Sequence, residues 1–168
     1  MAAPLTLIGL GANLSSPDFG PPKATLTAAL ERFEVVGLHV TARSRWYESE
    51  AVPKSAQQNF INAVVRIESK LTPEALLATL HRIEAEFGRV RGARNAPRII
   101  DLDLIAYGDK VTRHGSVALL PHPRMHERAF VLLPLREVAP RWYHPLLGRT
   151  VDELIEALPG DQVAWPVA

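Results

Sequence analysis

Asp101-Leu102-Asp103 places two carboxylates two residues apart within an otherwise apolar run, Ile99 to Ala106. In an extended strand both point to one face, their Cβ atoms roughly 6.5–7 Å apart by two strand rises. Ile99 and Ile105 share that face, and Ile100, Leu102, Leu104 and Ala106 take the other. Two like charges in apolar surroundings are costly unless a cation neutralises them, which makes the pair a candidate divalent-metal site. Solvated aspartates, or aspartates paired with neighbouring arginines, are the competing reading. Directly upstream stand Arg89, Arg91, Arg94 and Arg98, in a segment punctuated by Gly88, Gly92 and Pro97. Guanidinium groups offer forked donors to phosphate oxygens, and a hard cation held by carboxylates bridges the same phosphates. An arginine-rich loop alone is more often a solvated surface. Beside a carboxylate pair it supplies the positioning and charge neutralisation that phosphoryl transfer requires.

Phe60 and Asn62 lie two residues apart on a strand pattern, on the face opposite Ile61, Ala63, Val65 and Ile67. A ring and an amide so spaced can stack on a flat heterocycle and read its edge, although cover by a second helix layer explains them as well. Phe130 is a candidate second ring. Glu84 sits at the edge of a helical apolar stripe with His81 on the same side, and a half-buried carboxylate there needs a partner: substrate, metal or arginine. His122 and His126 stand in a proline-flanked loop with no evident third ligand, so zinc is rejected. Gly9-Leu10-Gly11-Ala12-Asn13 lacks the third glycine of a dinucleotide fingerprint and the Gly-Lys-Ser/Thr of a P-loop, and it reads as a tight turn after a strand.

These residues need a scaffold, and the patterning supplies one. Leu5 to Leu10 reads as a buried strand, Lys23 to Glu34 as a helix, Val35 to Trp46 as a strand, Glu48 to Gln58 as a functional loop and Phe60 to Glu68 as a strand. A helix follows, with Thr72 as N-cap, Pro73 at its first position, Leu76, Leu77, Leu80, Ile83 and Phe87 as its stripe and Gly88 as its stop. Ile99 to Tyr107 is a strand turned by Gly108-Asp109 into a short hairpin arm at Val111 to Thr112. Arg128 to Val138 and Val151 to Leu158 read as closing helices. The order β-α-β-β-α-β predicts a ferredoxin-like α+β sandwich, three-layered αβα, with extra C-terminal helices.

A chain of 168 residues, 47% of them hydrophobic, suits one domain spanning 1–168. Nineteen basic against eighteen acidic side chains leave no global field for nucleic acid or an anionic membrane, so any anion site is local. The absence of cysteine excludes disulfides and thiolate metal sites. With no signal-like N-terminus and no spanning apolar run, a cytoplasmic protein is expected.

Arg94-Asn95-Ala96-Pro97-Arg98-Ile99-Ile100-Asp101-Leu102-Asp103-Leu104-Ile105 resembles the signature of the 6-hydroxymethyl-7,8-dihydropterin pyrophosphokinases of folate biosynthesis. Gly11-Ala12-Asn13-Leu14, Trp46-Tyr47-Glu48-Ser49, Phe60-Ile61-Asn62-Ala63-Val64, Arg82-Ile83-Glu84, Gly88-Arg89-Val90-Arg91 and Pro121-His122-Pro123-Arg124-Met125 follow in family order, covering roughly Leu5 to Leu135. The resemblance implies a ferredoxin-like αβα fold, ATP with two Mg²⁺, and transfer of the β,γ-diphosphate to the pterin hydroxymethyl group with release of AMP. It implies that Asp101 and Asp103 hold both ions and that Arg89 and Arg91 are catalytic. It sets His81, Glu84, Arg91, Arg94, Arg98, Leu104, His122 and Arg128 around ATP. Phe60 and Phe130 would sandwich the pterin, Asn62 would hydrogen-bond it, and Gly11, Ser49, Glu50 and Val52 would complete its pocket. The chain departs from frequent family choices at Asn95, where tryptophan is common, at Phe60 and Pro123, where tyrosine is, and at His81, often glutamine. The expected partners are ATP and the pterin, with no nucleic acid or membrane, and the expected state is a monomer. Two rival readings are a Mg²⁺-dependent transferase acting on another planar alcohol and a ferredoxin-like RNA-binding module; the latter lacks the aromatic-rich strand motif of such modules.

Overall fold

The computed structural model describes residues 4–51, 57–90 and 97–168. Along the chain run β1 (Thr6–Ala12), α1 (Pro22–Val35), β2 (His39–Arg43), β3 (Trp46–Ser49), β4 (Phe60–Glu68), α2 (Pro73–Glu86) and β5 (Asp101–Tyr107). A 3₁₀ turn (Met125–Glu127), α3 (Ala129–Val138), β6 (Tyr143–His144), β7 (Arg149–Thr150), α4 (Val151–Glu156) and β8 (Ala164–Val167) follow. One six-stranded sheet has the order β5-β1-β4-β3-β8, with β2 also paired to β4, and every pairing in it is antiparallel. β6 and β7 form a separate two-stranded hairpin.

Helices α1 and α2 cover one face of the sheet and α3 covers the other, with α4 packed on α3. Leu26 and Phe33 of α1 and Leu76, Leu80 and Ile83 of α2 are buried with Ile8, Leu10, Val65, Leu102 and Leu104. Leu132 and Leu135 of α3 are buried on the other face with Leu7, Val64 and Ile105, and Val151 and Leu154 extend that cluster where α4 packs on α3. In α2 the Thr72 hydroxyl accepts from Ala75 N–H at 3.2 Å as predicted. That cap contributes about 1 kcal/mol, against roughly 1.5–3 for each buried Leu or Ile, so packing rather than capping holds α2 to the sheet.

Four local expectations are corrected. Gly9 and Gly11 lie inside β1, which runs on to Ala12, rather than in a turn, and neither has a positive φ. The single strand expected from Val35 to Trp46 is two. Gly37 turns the chain out of α1 at φ 84°, and Ser44 then breaks the ladder by accepting Val64 N–H on its own hydroxyl at 3.0 Å. Ala106 leaves the face of Leu102 and Leu104 and packs with Ile105 in the α3 layer, because a register shift between Leu7 and Ile8 inserts one residue into β5. No strand forms at Val111 to Thr112. The Thr112 hydroxyl accepts Leu120 N–H at 2.9 Å, and this side-chain bond closes a loop where a ladder was expected. The two-residue hairpin and β8 carry no strand pattern that the sequence reading detected.

Candidate functional site

A row of residues crosses the sheet at the level of the first aspartate. Asp101 of β5 pairs with Gly11 of β1, Gly11 with Asn62 of β4, and Asn62 with Tyr47 of β3. Two residues along, Asp103 pairs with Gly9, which pairs with Val64. Directly paired residues share a face, and Val64 marks this one as the α3 side. Because β1 presents glycines in both rows, no side chain stands between the aspartates and Asn62, and the floor of the sheet is open there. The Gly11 position is tight: a Cβ built on it would lie 3.0 Å from Asn62 Oδ1.

Two cavities meet on this floor. The first, of about 430 Å³, is lined by Phe60, Asn62 and Phe130 at one end and by Arg98, Asp101 and Asp103 at the other, with Gly11, Glu50 and Arg128 on its walls. The second, of about 340 Å³, is lined by Leu77, His81, Leu104 and His122 on the far side and by Glu84, Arg89, Arg98, Asp101 and Asp103 on the near side. The aspartates and Arg98 therefore belong to both. Phe60 and Phe130 make no ring contact with each other among the described residues. The Arg128 guanidinium carbon lies 5.5 Å from the centroid of the Phe130 ring.

Buried Asn62 donates from Nδ2 to Ser49 Oγ at 2.8 Å, so Ser49 stands behind the amide and fixes its orientation. Asp101 accepts from Arg89 Nη1 at 3.0 Å on one oxygen and from Arg98 Nη1 at 3.1 Å on the other. Arginine pairing of the aspartates, one of the two readings open from sequence, thus holds for Asp101. Glu84 is buried. Its Oε2 pairs with Arg89 and also accepts Leu102 N–H at 2.8 Å, satisfying a backbone donor on the edge strand β5. Burial pushes the Glu84 carboxyl above its usual range, opposed by the Leu102 amide and by Arg89. Asp103 is pushed up to about 7, first by burial and then by the charge of Asp101 beside it. Burial and the nearby Arg128 bring His122 down to about 4, and burial lowers the Arg128 guanidinium.

Of the residues singled out from sequence, Gly11, Glu50, Phe60, Asn62, Arg98, Arg128 and Phe130 come together around the first cavity, and His81, Glu84, Arg89, Leu104 and His122 around the second. Arg91, Arg94 and Val52 lie outside the described residues. Sequence reasoning missed Asn13, Gln57, Arg124, Glu127 and Gln162. Buried Asn13 accepts Arg98 N–H on Oδ1 at 2.8 Å and donates to Gln57 Oε1 at 3.0 Å and to the Gln58 carbonyl at 3.1 Å, tying both segments to the end of β1. Its place in the Gly11-Ala12-Asn13-Leu14 motif was the available signal. Gln162 had none.

The chain is 41% identical over 163 residues to the 2-amino-4-hydroxy-6-hydroxymethyldihydropteridine pyrophosphokinase of Synechocystis sp., a match covering 96% of this chain and 80% of that one. It is 41% identical over 153 residues to the protein of the same name from Methylorubrum extorquens, covering 90% and 91%. In fold it is similar to the crystal structure of a doubly substituted variant of Plasmodium falciparum HPPK-DHPS with pterin and p-hydroxybenzoate, with a TM-score of 0.71 at 14% identity. That match covers 93% of this chain and 43% of the longer one. The family model for 7,8-dihydro-6-hydroxymethylpterin-pyrophosphokinase matches residues 7–140, most of the 168, and the chain belongs to this family.

Proposed function

We propose that the two cavities hold the two substrates of a diphosphate transfer, ATP beside His81, Leu104 and His122 and a reduced pterin beside Phe60, Asn62 and Phe130. As a member of its family the chain is a pyrophosphokinase of folate biosynthesis, transferring diphosphate from ATP to hydroxymethyldihydropterin. The observation that carries the residue assignment is the sharing of Arg98, Asp101 and Asp103 by both cavities. Only where the cavities meet can a hydroxymethyl group from one approach a phosphorus from the other.

The pterin hydroxyl oxygen attacks the β-phosphorus of ATP in line, and AMP leaves. Phe60 and Phe130 hold the ring between them, and Asn62, fixed by Ser49, reads its edge. Arg89, Arg98 and Arg128 offer donors to the phosphate oxygens where charge develops. Arg91 and Arg94 are proposed to act on the same phosphates. Orientation accounts for several kcal/mol of barrier reduction in such sites, about 7–11 at the upper end.

The aspartates fit magnesium. They are hard oxygen donors, and the Asp103 carboxyl resists ionisation first because it is desolvated and then because Asp101 stands beside it, a cost that a divalent cation relieves. No group of three or more candidate ligands occurs among the described residues, which suits an ion that takes its remaining ligands from phosphate and water. Two such ions, held by Asp101 and Asp103 with ATP, would neutralise charge on the diphosphate being transferred.

We further read the sheet order, with β2 and β3 sharing one side of β4, as a ferredoxin-like topology within a single domain, 1–168. We take the enzyme to act as a monomer. No helix of the described residues is long and apolar enough to cross a membrane, and we place the enzyme in the cytoplasm. Incubation with ATP, Mg²⁺ and 6-hydroxymethyl-7,8-dihydropterin should yield AMP and pterin diphosphate in equal amounts. AMP release that does not depend on the pterin would overturn the reading, and other planar alcohols serve as the comparison.

A further inference from the structure

The C-terminal segment reaches the first cavity from outside the stretch matched by the family model, which ends at residue 140. β8 lies along β3 with Ala164 opposite Ser49, the residue behind Asn62. Two residues before β8, Gln162 lines the cavity together with Phe130 and Arg128. Its Oε1 accepts the N–H of Ala129, the first residue of α3, at 3.2 Å.

This contact falls where α3 lacks internal support. Arg128, the N-cap residue, makes no side-chain cap of its own. Pro134 lies inside the helix and has no N–H to give the carbonyl four residues earlier, which belongs to Phe130. The turn that carries Phe130 is therefore short of a cap at its start and of one ladder bond at its ring-bearing residue. Gln162 supplies an acceptor from 33 positions away in sequence.

We propose that Gln162 is a positioning residue for the pterin: by capping the first amide of α3 it sets the ring of Phe130, so the C-terminal segment is part of the substrate site. The proposal rests on the reading of the first cavity as the pterin site. It concerns binding of the ring and not phosphate chemistry, because Gln162 lines the first cavity and not the second.

Two substitutions separate positioning from general packing. Gln162→Ala removes the acceptor. Gln162→Glu keeps an acceptor of the same length, now charged at a helix N-terminus, where negative charge is favourable. Gln162→Ala should raise the pterin KM about five- to tenfold, the scale of one lost cap bond, and leave the ATP KM and kcat within about twofold. Gln162→Glu should bring the pterin KM back to within about twofold of the parent. An unchanged pterin KM in Gln162→Ala, an equal rise in both KM values, or a Glu variant as weak as the Ala variant each overturns the proposal. Gln162→Met, similar in length without the acceptor, takes the place of the Ala variant if that one does not fold. Asn62→Ala, measured in parallel, isolates the premise. If it raises the pterin KM while Gln162→Ala does not, the positioning role alone fails, and if neither moves it, the assignment of the cavity to the pterin fails.

Discussion

Gly11 and Asn62 face each other across the β1–β4 ladder so closely that a Cβ on the glycine would lie 3.0 Å from the amide oxygen. The amide cannot simply give way, since it is buried and its nitrogen already donates to Ser49. The φ of Gly11 is not positive, so the backbone itself tolerates alanine. Gly11→Ala should therefore act through Asn62, costing about 1–3 kcal/mol of packing. It should weaken pterin binding roughly tenfold while ATP binding changes little. Titrating each ligand separately checks this, and an equal loss for both would show that the glycine serves the sheet and not the pterin site.

Asp103 is a site where function opposes stability. Its carboxyl is held up near 7 by burial and by Asp101, so ionising it in the folded, cation-free protein is unfavourable. Asp103→Asn should raise the melting temperature of the cation-free protein at neutral pH, by roughly 2–4 °C per kcal/mol of repulsion relieved. It should also cut turnover by at least about 100-fold. A melting temperature that falls, or turnover that survives, contradicts the assignment of Asp103.

The parts of this architecture legible in sequence are those fixed by local pattern. Thr72-Pro73 starts α2 where expected, the alternation from Phe60 to Glu68 is β4, and Asp101 and Asp103 share a face as strand geometry requires. The two glycines of β1 were misread because a strand glycine looks like a turn glycine until its neighbours are known. Here Asn62 lies close enough to Gly11 to exclude a larger side chain. Asn13 holds Arg98 across 85 positions and Gln162 caps α3 across 33. Such bonds depend on tertiary placement and leave no periodic trace. The bulge opposite Leu7 and Ile8 moved Ala106 to the other layer for the same reason: alternation is readable, and its interruption is set by the partner strand.

His122 gives the protein an acid-sensitive point apart from its carboxylates. Folding brings its pKa to about 4, because burial and Arg128 disfavour the imidazolium, whereas the unfolded chain takes up the proton near 6.5. Between those values the unfolded state binds more protons, so stability falls as pH drops from about 6.5 to about 4 and the His122 contribution is flat outside that window. Denaturant titrations of parent and His122→Gln across pH 4–7 should show the difference in stability closing or reversing toward acid. A constant difference over that range would mean that His122 titrates normally in the fold.

Sequence leaves substrate, metal or arginine as the partner of Glu84, with the ATP side implied by the family resemblance; the fold pairs it with Arg89 and gives it a second task that substitution can separate. Oε2 satisfies Leu102 N–H on β5, the strand that carries both aspartates, and pairs with Arg89. Glu84→Gln keeps an acceptor for that amide and removes only the charge. Glu84→Ala leaves a buried donor unmet and opens a void in the layer between α2 and the sheet. The Ala variant should lose about 2–4 kcal/mol in denaturant unfolding and the Gln variant about 1 or less. Activity should rank differently. If Glu84 acts chiefly by holding Arg89, the Gln variant, well folded but with the guanidinium left to Asp101 as its carboxylate partner, should still lose turnover by about tenfold, consistent with one weakened charge-assisted contact. A Gln variant with parental turnover would confine Glu84 to supporting β5.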